Sequence, residues 1–304
     1  MFQLPLFREQ SLDRIINVAS VPHRSPFRYP GGKTWIVPHI RLWLASLSAL
    51  PEHFVEPFAG GAIVGLTVAA ERLARHVTLV ELDDQVAAVW MTIFCDDGGA
   101  EWLAQRIIEF QVTLEAVQDL LSKPAGSTRE LAFQTILKNR VYHGGILAPG
   151  SAPIKYGENG KGIRSRWYPQ TLQRRILALI PLRERVTFIH GDGLEVLGQN
   201  PATMDHAYFI DPPYTAGSKR AGTRLYTHYT LDHERLFQIV SALKSPWLMT
   251  YDHDPIIIAL AEKHGFVTRP IAMKNTHHAR MTELLVSRDL SWAAEASPRG
   301  TAFA

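Results

Sequence analysis

The stretch "YFIDPPYTAG" (208–217) places an acid, two prolines and a tyrosine directly after an apolar run that predicts a strand. A planar NH₂ group on a nucleobase is a poor nucleophile, because its lone pair is delocalised into the ring. Acceptors on its two N–H bonds would stabilise the positive charge that develops as the nitrogen attacks a methyl group. The carboxylate of Asp211 can supply one acceptor and the backbone carbonyl of Pro212 the other.

The two prolines would keep this arrangement rigid, because each fixes its φ angle and lacks an N–H group that could compete for the acceptors. The ring of Tyr214 offers a face on which a planar base can stack, and a base in a duplex must be extruded to reach it. We therefore predict that the catalytic residues are Asp211, Pro212, Pro213 and Tyr214. The alternative is a structural turn, since Asp-Pro and Pro-Pro pairs often mark loops.

A glycine-rich turn, "EPFAGG" (56–61), follows an earlier apolar run. Such a turn lets the backbone approach a ligand closely, with a helix N-terminus beyond it. The turn lacks the full G-x-G-x-x-G pattern and a P-loop lysine, which argues against NAD and ATP. Glu81 ends the next predicted strand, where an acid can accept both hydroxyl protons of a ribose. Together they indicate an adenosine-containing cofactor, contacted by Glu56, Phe58, Gly60 and Glu81; the alternatives are an ordinary tight turn and a solvated carboxylate.

Short apolar runs alternate with longer helical patterns along the chain, which predicts a mainly parallel sheet covered by helices on both faces. Acids lie at four of the predicted strand ends. Because ligands of such sheets bind at the carboxyl ends of the strands, we expect one cleft to contain Glu56, Glu81, Asp192 and Asp211.

The strand pattern stops between Asp96 and about Pro181, which predicts an insertion that splits the sheet domain into two halves. The predicted parts are an N-terminal extension (1–26), a catalytic domain in two halves (27–95 and 182–290), an insertion (96–181) and a flexible tail (291–304).

The composition is that of a globular protein: 304 residues, 46% of them hydrophobic, with a formal net charge of +3. Cys95 is the single cysteine, which excludes an internal disulfide and a cysteine-rich zinc site and favours a cytoplasmic protein. No run approaches the roughly 18 apolar residues that a membrane helix needs. The histidines in "THHAR" (276–280) and "YDHD" (251–254) match no compact set of ligands, so we predict no metal.

Four motifs occur in the order "FRYPGGK" (27–33), "FVEPFAGGAIVGL" (54–66), "LVELDD" (79–84) and "DPPY" (211–214). This ordered set resembles the Dam-like DNA adenine-N6 methyltransferases of the α class, in which a target-recognition insertion separates the cofactor half from the catalytic half. The resemblance implies a Rossmann-like α/β fold of S-adenosylmethionine-dependent methyltransferases. In that fold the sheet is mainly parallel with a terminal antiparallel strand, and the recognition subdomain is mostly helices and loops.

The resemblance also implies that S-adenosylmethionine is the cofactor, contacted by Tyr29, Lys33, Glu81, Asp192 and Asp211. At the position of Tyr29 the family usually has a tryptophan, and at Glu81 the Dam-like enzymes have an aspartate; both departures keep the chemical type. The implied activity is methyl transfer to the amino group of adenine at specific DNA sites. The alternatives are methylation of cytosine N4, because the same residues could hold that amine, an RNA substrate, or a non-catalytic DNA-binding protein derived from this fold.

Basic residues alternate with aromatic residues and glycines in the insertion, a pattern that suits phosphate contacts and base stacking. We predict contacts to double-stranded DNA at Lys155, Arg164 and Arg166, and at Lys219 and Arg220 in the segment after the "DPPY" motif. The alternative is a solvated basic face.

The segment "QLPLF", from Gln3 to Phe7, resembles the short peptide by which bacterial replication and repair proteins bind the sliding clamp. An extended segment of this kind would place its apolar side chains in a pocket of the partner. The alternative is an N-terminal apolar segment that packs on its own domain.

Overall fold

The structure, a computed structural model, describes residues 21–28, 33–148, 150–154, 160–199, 204–213, 231–274 and 280–294. Within these residues the strands form one seven-stranded sheet. In chain order they are β1 (His53–Glu56), β2 (His76–Glu81), β3 (Val186–His190), β4 (His206–Ile210), β5 (Trp247–Asp252), β6 (Val267–Lys274) and β7 (Arg280–Ser287).

Across the sheet the strand order is β3-β2-β1-β4-β5-β7-β6. The strands from β3 to β5 are parallel to one another, and β7 runs antiparallel to both β5 and β6. This confirms the predicted Rossmann-like fold class, a mainly parallel sheet whose last strand is antiparallel. The order reverses between β1 and β4, so the binding crevice of such a sheet is expected at the carboxyl ends of these two strands.

The helices begin where the chain leaves the sheet. They are α1 (Val37–Ser46), α2 (Ile63–Glu71), α3 (Asp84–Phe94), α4 (Gly99–Glu109), α5 (Leu114–Leu121), α6 (Thr128–Val141), α7 (Pro169–Leu177), α8 (Gly193–Gly198), α9 (His233–Ala242), α10 (Pro255–Lys263) and α11 (Ser291–Ala294). In the described part of the chain, no helix has both the length and the apolar character that crossing a bilayer requires.

Several of these helices start at an aspartate that serves as the N-cap. The side chains of Asp83, Asp192, Asp232 and Asp254 each accept a hydrogen bond from a backbone N–H group of the first turn. Such caps satisfy donors that a helix cannot satisfy internally. The turn from strand to helix is therefore fixed locally at four places.

The two faces of the sheet carry separate hydrophobic cores, because side chains alternate along each strand. Phe54 and Phe209 belong to the core under α1, α2 and α3, whereas Val55 and Tyr208 belong to the core under α8, α9 and α10. By the same alternation, Glu56 and Asp211 lie on the face that α2 covers. The two acids therefore share one side of the crevice.

Between α3 and β3, the described residues form helices and 3-10 turns together with one isolated bridge, Tyr142 to Pro153. The apolar residues of these helices, among them Leu103, Ile136 and Ile176, join the core on the α3 face. The segment predicted as an insertion thus lies against the sheet domain; the domain boundaries stay a prediction.

His39 on α1 generates a prediction about stability. The side chain is 2% exposed, and burial, followed by the charge of Arg269, lowers the pKa of His39 from 6.5 to about 4. The unfolded chain takes up this proton below pH 6.5 and the folded chain does not, so stability is lost as the pH falls from 6.5 to 4. At about 1.4 kcal/mol per pKa unit, the loss is about 3 kcal/mol.

We expect His39→Leu to remove this part of the acid sensitivity. Urea unfolding of both proteins at several pH values between 4 and 7 measures it. If the free energy of unfolding changes with pH equally in both proteins over this range, His39 is not the source of the acid sensitivity.

Candidate active site

The glycine-rich turn after β1 is tied to the end of β2 by a carboxylate. Glu81 accepts hydrogen bonds from Gly60 N at Oε2 (2.7 Å) and from Leu82 N and Asp83 N at Oε1 (2.9 Å each). Burial raises the pKa of Glu81, and these N–H groups oppose the shift. A carboxylate has about four acceptor positions, so three are used within the chain.

Glu56 is the inner support of the same turn. It is 3% exposed, and its Oε2 accepts a hydrogen bond from Gly65 N at 2.7 Å. A Cβ at Gly65 would lie 2.5 Å from that oxygen and 2.4 Å from Leu79 Cδ2, so the position requires glycine. Burial raises the pKa of Glu56 well above its usual range, and the charges of Asp211 and Glu81 raise it further. Asp211 and Glu81 therefore both lie within electrostatic range of Glu56.

The loop after β3 closes another side of the crevice. Asp192 Oδ1 accepts from Leu194 N at 2.8 Å and so caps α8. A Cβ at Gly193 would lie 2.1 Å from the carbonyl oxygen of Pro57 and 3.1 Å from the ring of Phe58. The loops after β1 and β3 thus touch at a position where only glycine fits, and Gly191 N bonds the carbonyl of Glu81 at 3.0 Å. Three consecutive strand ends meet here.

Asp211 follows β4 and is held by two other elements. Its Oδ1 accepts a hydrogen bond from Thr250 Oγ1 at 2.7 Å and lies 3.1 Å from Lys33 Nζ. Lys33 Nζ lies 2.6 Å from Glu283 Oε2 on β7. Lys33 and Glu283 are 7% and 5% exposed. A buried ammonium therefore bridges two carboxylates on the same side of the crevice.

The pKa values of this cluster reflect burial and charge together. Burial lowers the pKa of Lys33, but the charges of Asp211 and Glu283 outweigh that effect and raise it. Burial raises the pKa of Glu283 to about 6, against the opposing effect of Lys33 and with a further rise from Asp211. At a pH above about 6, Asp211 and Glu283 carry one more negative charge than Lys33 neutralises, so this side of the crevice suits a ligand that carries positive charge.

A cluster of arginines lies beside the segment that leads to Lys33. Burial lowers the pKa of Arg140 to about 9, and the charges of Arg175, Arg28 and Arg166 lower it further. Among the described residues, three arginines lower the pKa of Arg140, and Tyr168 raises it. Such a concentration of guanidinium groups is expected where an anion binds, since Arg pairs well with phosphate.

The backbone around Arg28 is fixed by the end of α6. Asn139 accepts from Arg28 N and donates to the carbonyl oxygens of Arg28 and Gly145, each at 2.8 Å. Arg140 donates to the carbonyl oxygen of Pro26. Arg28 and the end of α6, far apart in sequence, are therefore held together.

Of the predicted site residues, the structure brings Lys33, Glu56, Gly60, Glu81 and Asp211 together, with Asp192 and Phe58 on the adjoining loops. Pro212 and Pro213 follow Asp211 directly. Arg166 lies in the arginine cluster, whereas Arg164 Nε donates to its own chain at the carbonyl oxygen of Val112, 2.7 Å away. The predictions for Tyr29, Lys155, Tyr214, Lys219, Arg220 and Gln3 to Phe7 fall outside the described residues.

Thr250 and Glu283 were not predicted from the sequence. The prediction concerned acids at the ends of parallel strands, whereas Glu283 lies near the start of the antiparallel β7, opposite Asp252 at the end of β5. Glu283 stands in the apolar run "TELLVSR" (282–288), and that run was the available signal in the sequence. Among the described residues, no group of three or more His, Cys, Asp or Glu side chains could hold a metal ion.

Comparisons with known proteins found similar solved structures, all at low sequence identity. No protein-family model matches the chain, and no curated protein matches it. Among solved structures, the rRNA methyltransferase aviRa of Streptomyces viridochromogenes is 12% identical with a TM-score of 0.39, covering 96% of this chain and 100% of the other.

Two other solved structures are similar at the same low level. A precorrin-6y C5,15-methyltransferase of Geobacter metallireducens is 12% identical with a TM-score of 0.35, covering 83% of this chain and 87% of the other. Spermidine synthase of Thermotoga maritima is 11% identical with a TM-score of 0.35, and the match covers 94% of this chain and 63% of the other. Scores this low carry no conclusion about activity.

The contact between the loops after β1 and β3 can be tested with two glycines of α8. Gly193→Ala would push a Cβ into the carbonyl of Pro57, whereas Gly198 has open space around its Cβ position. We expect Gly193→Ala to lower the free energy of unfolding by about 1–3 kcal/mol. Gly198→Ala should stay within about 0.5 kcal/mol of the parent. Denaturant unfolding measures both; equal effects of the two substitutions would contradict the close approach.

Proposed function

We propose that this protein is an S-adenosylmethionine-dependent methyltransferase that methylates the exocyclic amino group of adenine in double-stranded DNA. The observation that carries the proposal is the position of Asp211. Its carboxylate is anchored at the switch point of the sheet, within electrostatic range of the glycine-rich turn and its acids. An amine acceptor beside a nucleoside site is the arrangement that this reaction needs.

The residues present fit the cofactor. Glu81 retains about one acceptor position, so it can accept one ribose hydroxyl without breaking the turn, and a second hydroxyl would have to replace Gly60 N–H. Asp192 and Phe58 on the adjoining loops suit the adenine end. The surplus of acids suits a sulfonium cation. When bound, the cofactor supplies an electrophilic methyl group.

The chain's own residues would act on the amine. Asp211 and the carbonyl of Pro212 accept its two N–H bonds and favour a tetrahedral nitrogen. The bound cofactor would supply the methyl group that this nitrogen takes up, and its sulfur would keep the electron pair of the broken bond. The nitrogen then loses one proton to Asp211 and on to water. This direct transfer needs neither a metal nor a covalent intermediate with the enzyme.

The arginine cluster supports a polyanionic substrate. Arg28, Arg140, Arg166 and Arg175 come from three separate segments and converge beside the crevice. Arg140 is 5% exposed, and the charges of three further arginines act on it; a bound anion would offset this repulsion. A phosphate backbone at this rim would place a base close to Asp211. The choice of adenine over cytosine rests on the overall resemblance of the sequence to the Dam-like family.

Asp211→Asn tests the chemistry. The change keeps the size of the side chain and removes the charge that stabilises the amine, so we expect the methylation rate to fall by about 10²–10³. Transfer of labelled methyl groups to unmethylated plasmid DNA measures the rate, and mass spectrometry of the nucleosides identifies N6-methyladenine.

Asp205 lies before β4, at the opposite end of the strand from Asp211, and its exposed side chain pairs with His206. Asp205→Asn is the matched control and should keep full activity. Full activity of folded Asp211→Asn, or a product other than methyladenine, would count against the proposal.

Arg166→Ala tests the substrate. Loss of one phosphate contact should reduce the slope of log K against log salt by about 0.9. Arg75 pairs with Glu52 at the amino edge of the sheet and is 67% exposed as a side chain, so Arg75→Ala should leave the slope unchanged. Fluorescence anisotropy of a labelled duplex at several salt concentrations measures both. An unaltered slope in Arg166→Ala removes this residue from the DNA interface.

A further inference from the structure

We propose that Glu283 is a positioning residue for methyl transfer: it holds Lys33 against Asp211 and restores the negative charge that Lys33 would otherwise cancel. The inference rests on the proposed function and adds to it a residue from the last strand of the sheet. It follows from the distances and burial of three charged groups.

The three groups form one chain of contacts. Glu283 Oε2 lies 2.6 Å from Lys33 Nζ, and the same nitrogen lies 3.1 Å from Asp211 Oδ1. Thr250 donates to that same oxygen of Asp211 at 2.7 Å. Because Lys33 and Glu283 are almost completely buried, solvent screens their charges weakly. Lys33 therefore acts on Asp211 more strongly than an exposed lysine at the same distance would.

These three groups set the net charge beside the reacting amine. Asp211 and Lys33 alone sum to zero at the place where positive charge develops on nitrogen. Glu283 makes the sum −1 and draws the ammonium toward itself, since its distance to Lys33 Nζ is the shorter of the two. A site with net negative charge stabilises the transition state more than a neutral one.

The surroundings of Glu283 add one further charge. Among the described residues, Lys33, Asp211 and Asp252 act on the charge of Glu283, and its neighbour on β6 is the apolar Ile271. Burial, partly offset by Lys33, places the pKa of Glu283 at about 6. The carboxyl is therefore charged at pH 8 and mainly protonated at pH 5. The pH dependence of kcat in the wild-type protein is thus a second test of the inference.

The experiment compares kcat at pH 8, with saturating cofactor and DNA, in four proteins: the wild type, Lys33→Met, Glu283→Gln and the double variant. Glu283→Gln keeps an acceptor for Lys33 and removes the charge, so we expect kcat to fall about tenfold with an unchanged KM for DNA. The double variant removes both charges and leaves Asp211 at −1, so its kcat should rise above that of Glu283→Gln. Glu234→Gln, on the exposed pair with Lys263, is the surface control.

A purely structural role predicts the reverse, a double variant slower than either single variant, and that result would overturn the inference. In the wild type, kcat should fall as the pH drops through about 6 and converge on the rate of Glu283→Gln. A wild-type acid limb that persists unchanged in Glu283→Gln would also overturn it. If one of the variants does not fold, the pH profile of kcat in the wild type still tests the inference.

Failure of the proposed function looks different. If the wild type methylates no DNA, the four proteins still report on the pair through thermal unfolding. Non-additive shifts in Tm would keep Glu283 as the holder of Lys33 and leave the enzyme proposal as the part that failed. Additive shifts would remove the pairing as well.

Discussion

A buried ammonium must be paired, and this requirement organises the crevice. Lys33 precedes the first helix of the sheet domain, yet its partners are Asp211 after β4 and Glu283 on β7, 250 residues further along the chain in the case of Glu283. An unpaired cation at this depth would be strongly destabilising. The ion pairs therefore tie the first and last elements of the fold to the strand end that carries the proposed chemistry. Folding and site assembly depend on the same contacts.

Close backbone approach is the second constraint. Gly65 lies against Glu56 and Leu79, and Gly193 lies against the carbonyl of Pro57, both at distances that leave no room for a Cβ. These contacts draw the loops after β1 and β3 together, and Glu81 holds the turn between them through Gly60. The result is a crevice walled by backbone and carboxylates, a form that suits a nucleoside with a positive charge at one end.

Contacts at the end of α6 join the predicted insertion to the start of the predicted catalytic domain. Asn139 and Arg140, at the end of α6, fix the backbone from Pro26 to Arg28. One of the arginines proposed to meet phosphate, Arg28, lies five residues before Lys33, which pairs with Asp211. The proposed binding of substrate at this cluster and the position of Asp211 would thus be linked through a few residues of chain.

Local chemistry in the sequence determined much of this protein. Short apolar runs alternating with helical patterns predicted a mainly parallel sheet, and "EPFAGG", Glu81 and "DPPY" marked the crevice, because turns, caps and strand ends depend on neighbouring residues. The sequence could not show that Lys33 bridges two carboxylates, that Thr250 anchors Asp211 or that four arginines converge. Those contacts arise from an antiparallel strand pairing and from helices that pack across distant segments. Such neighbours are set by the tertiary fold, since burial and charge act through space rather than along the chain.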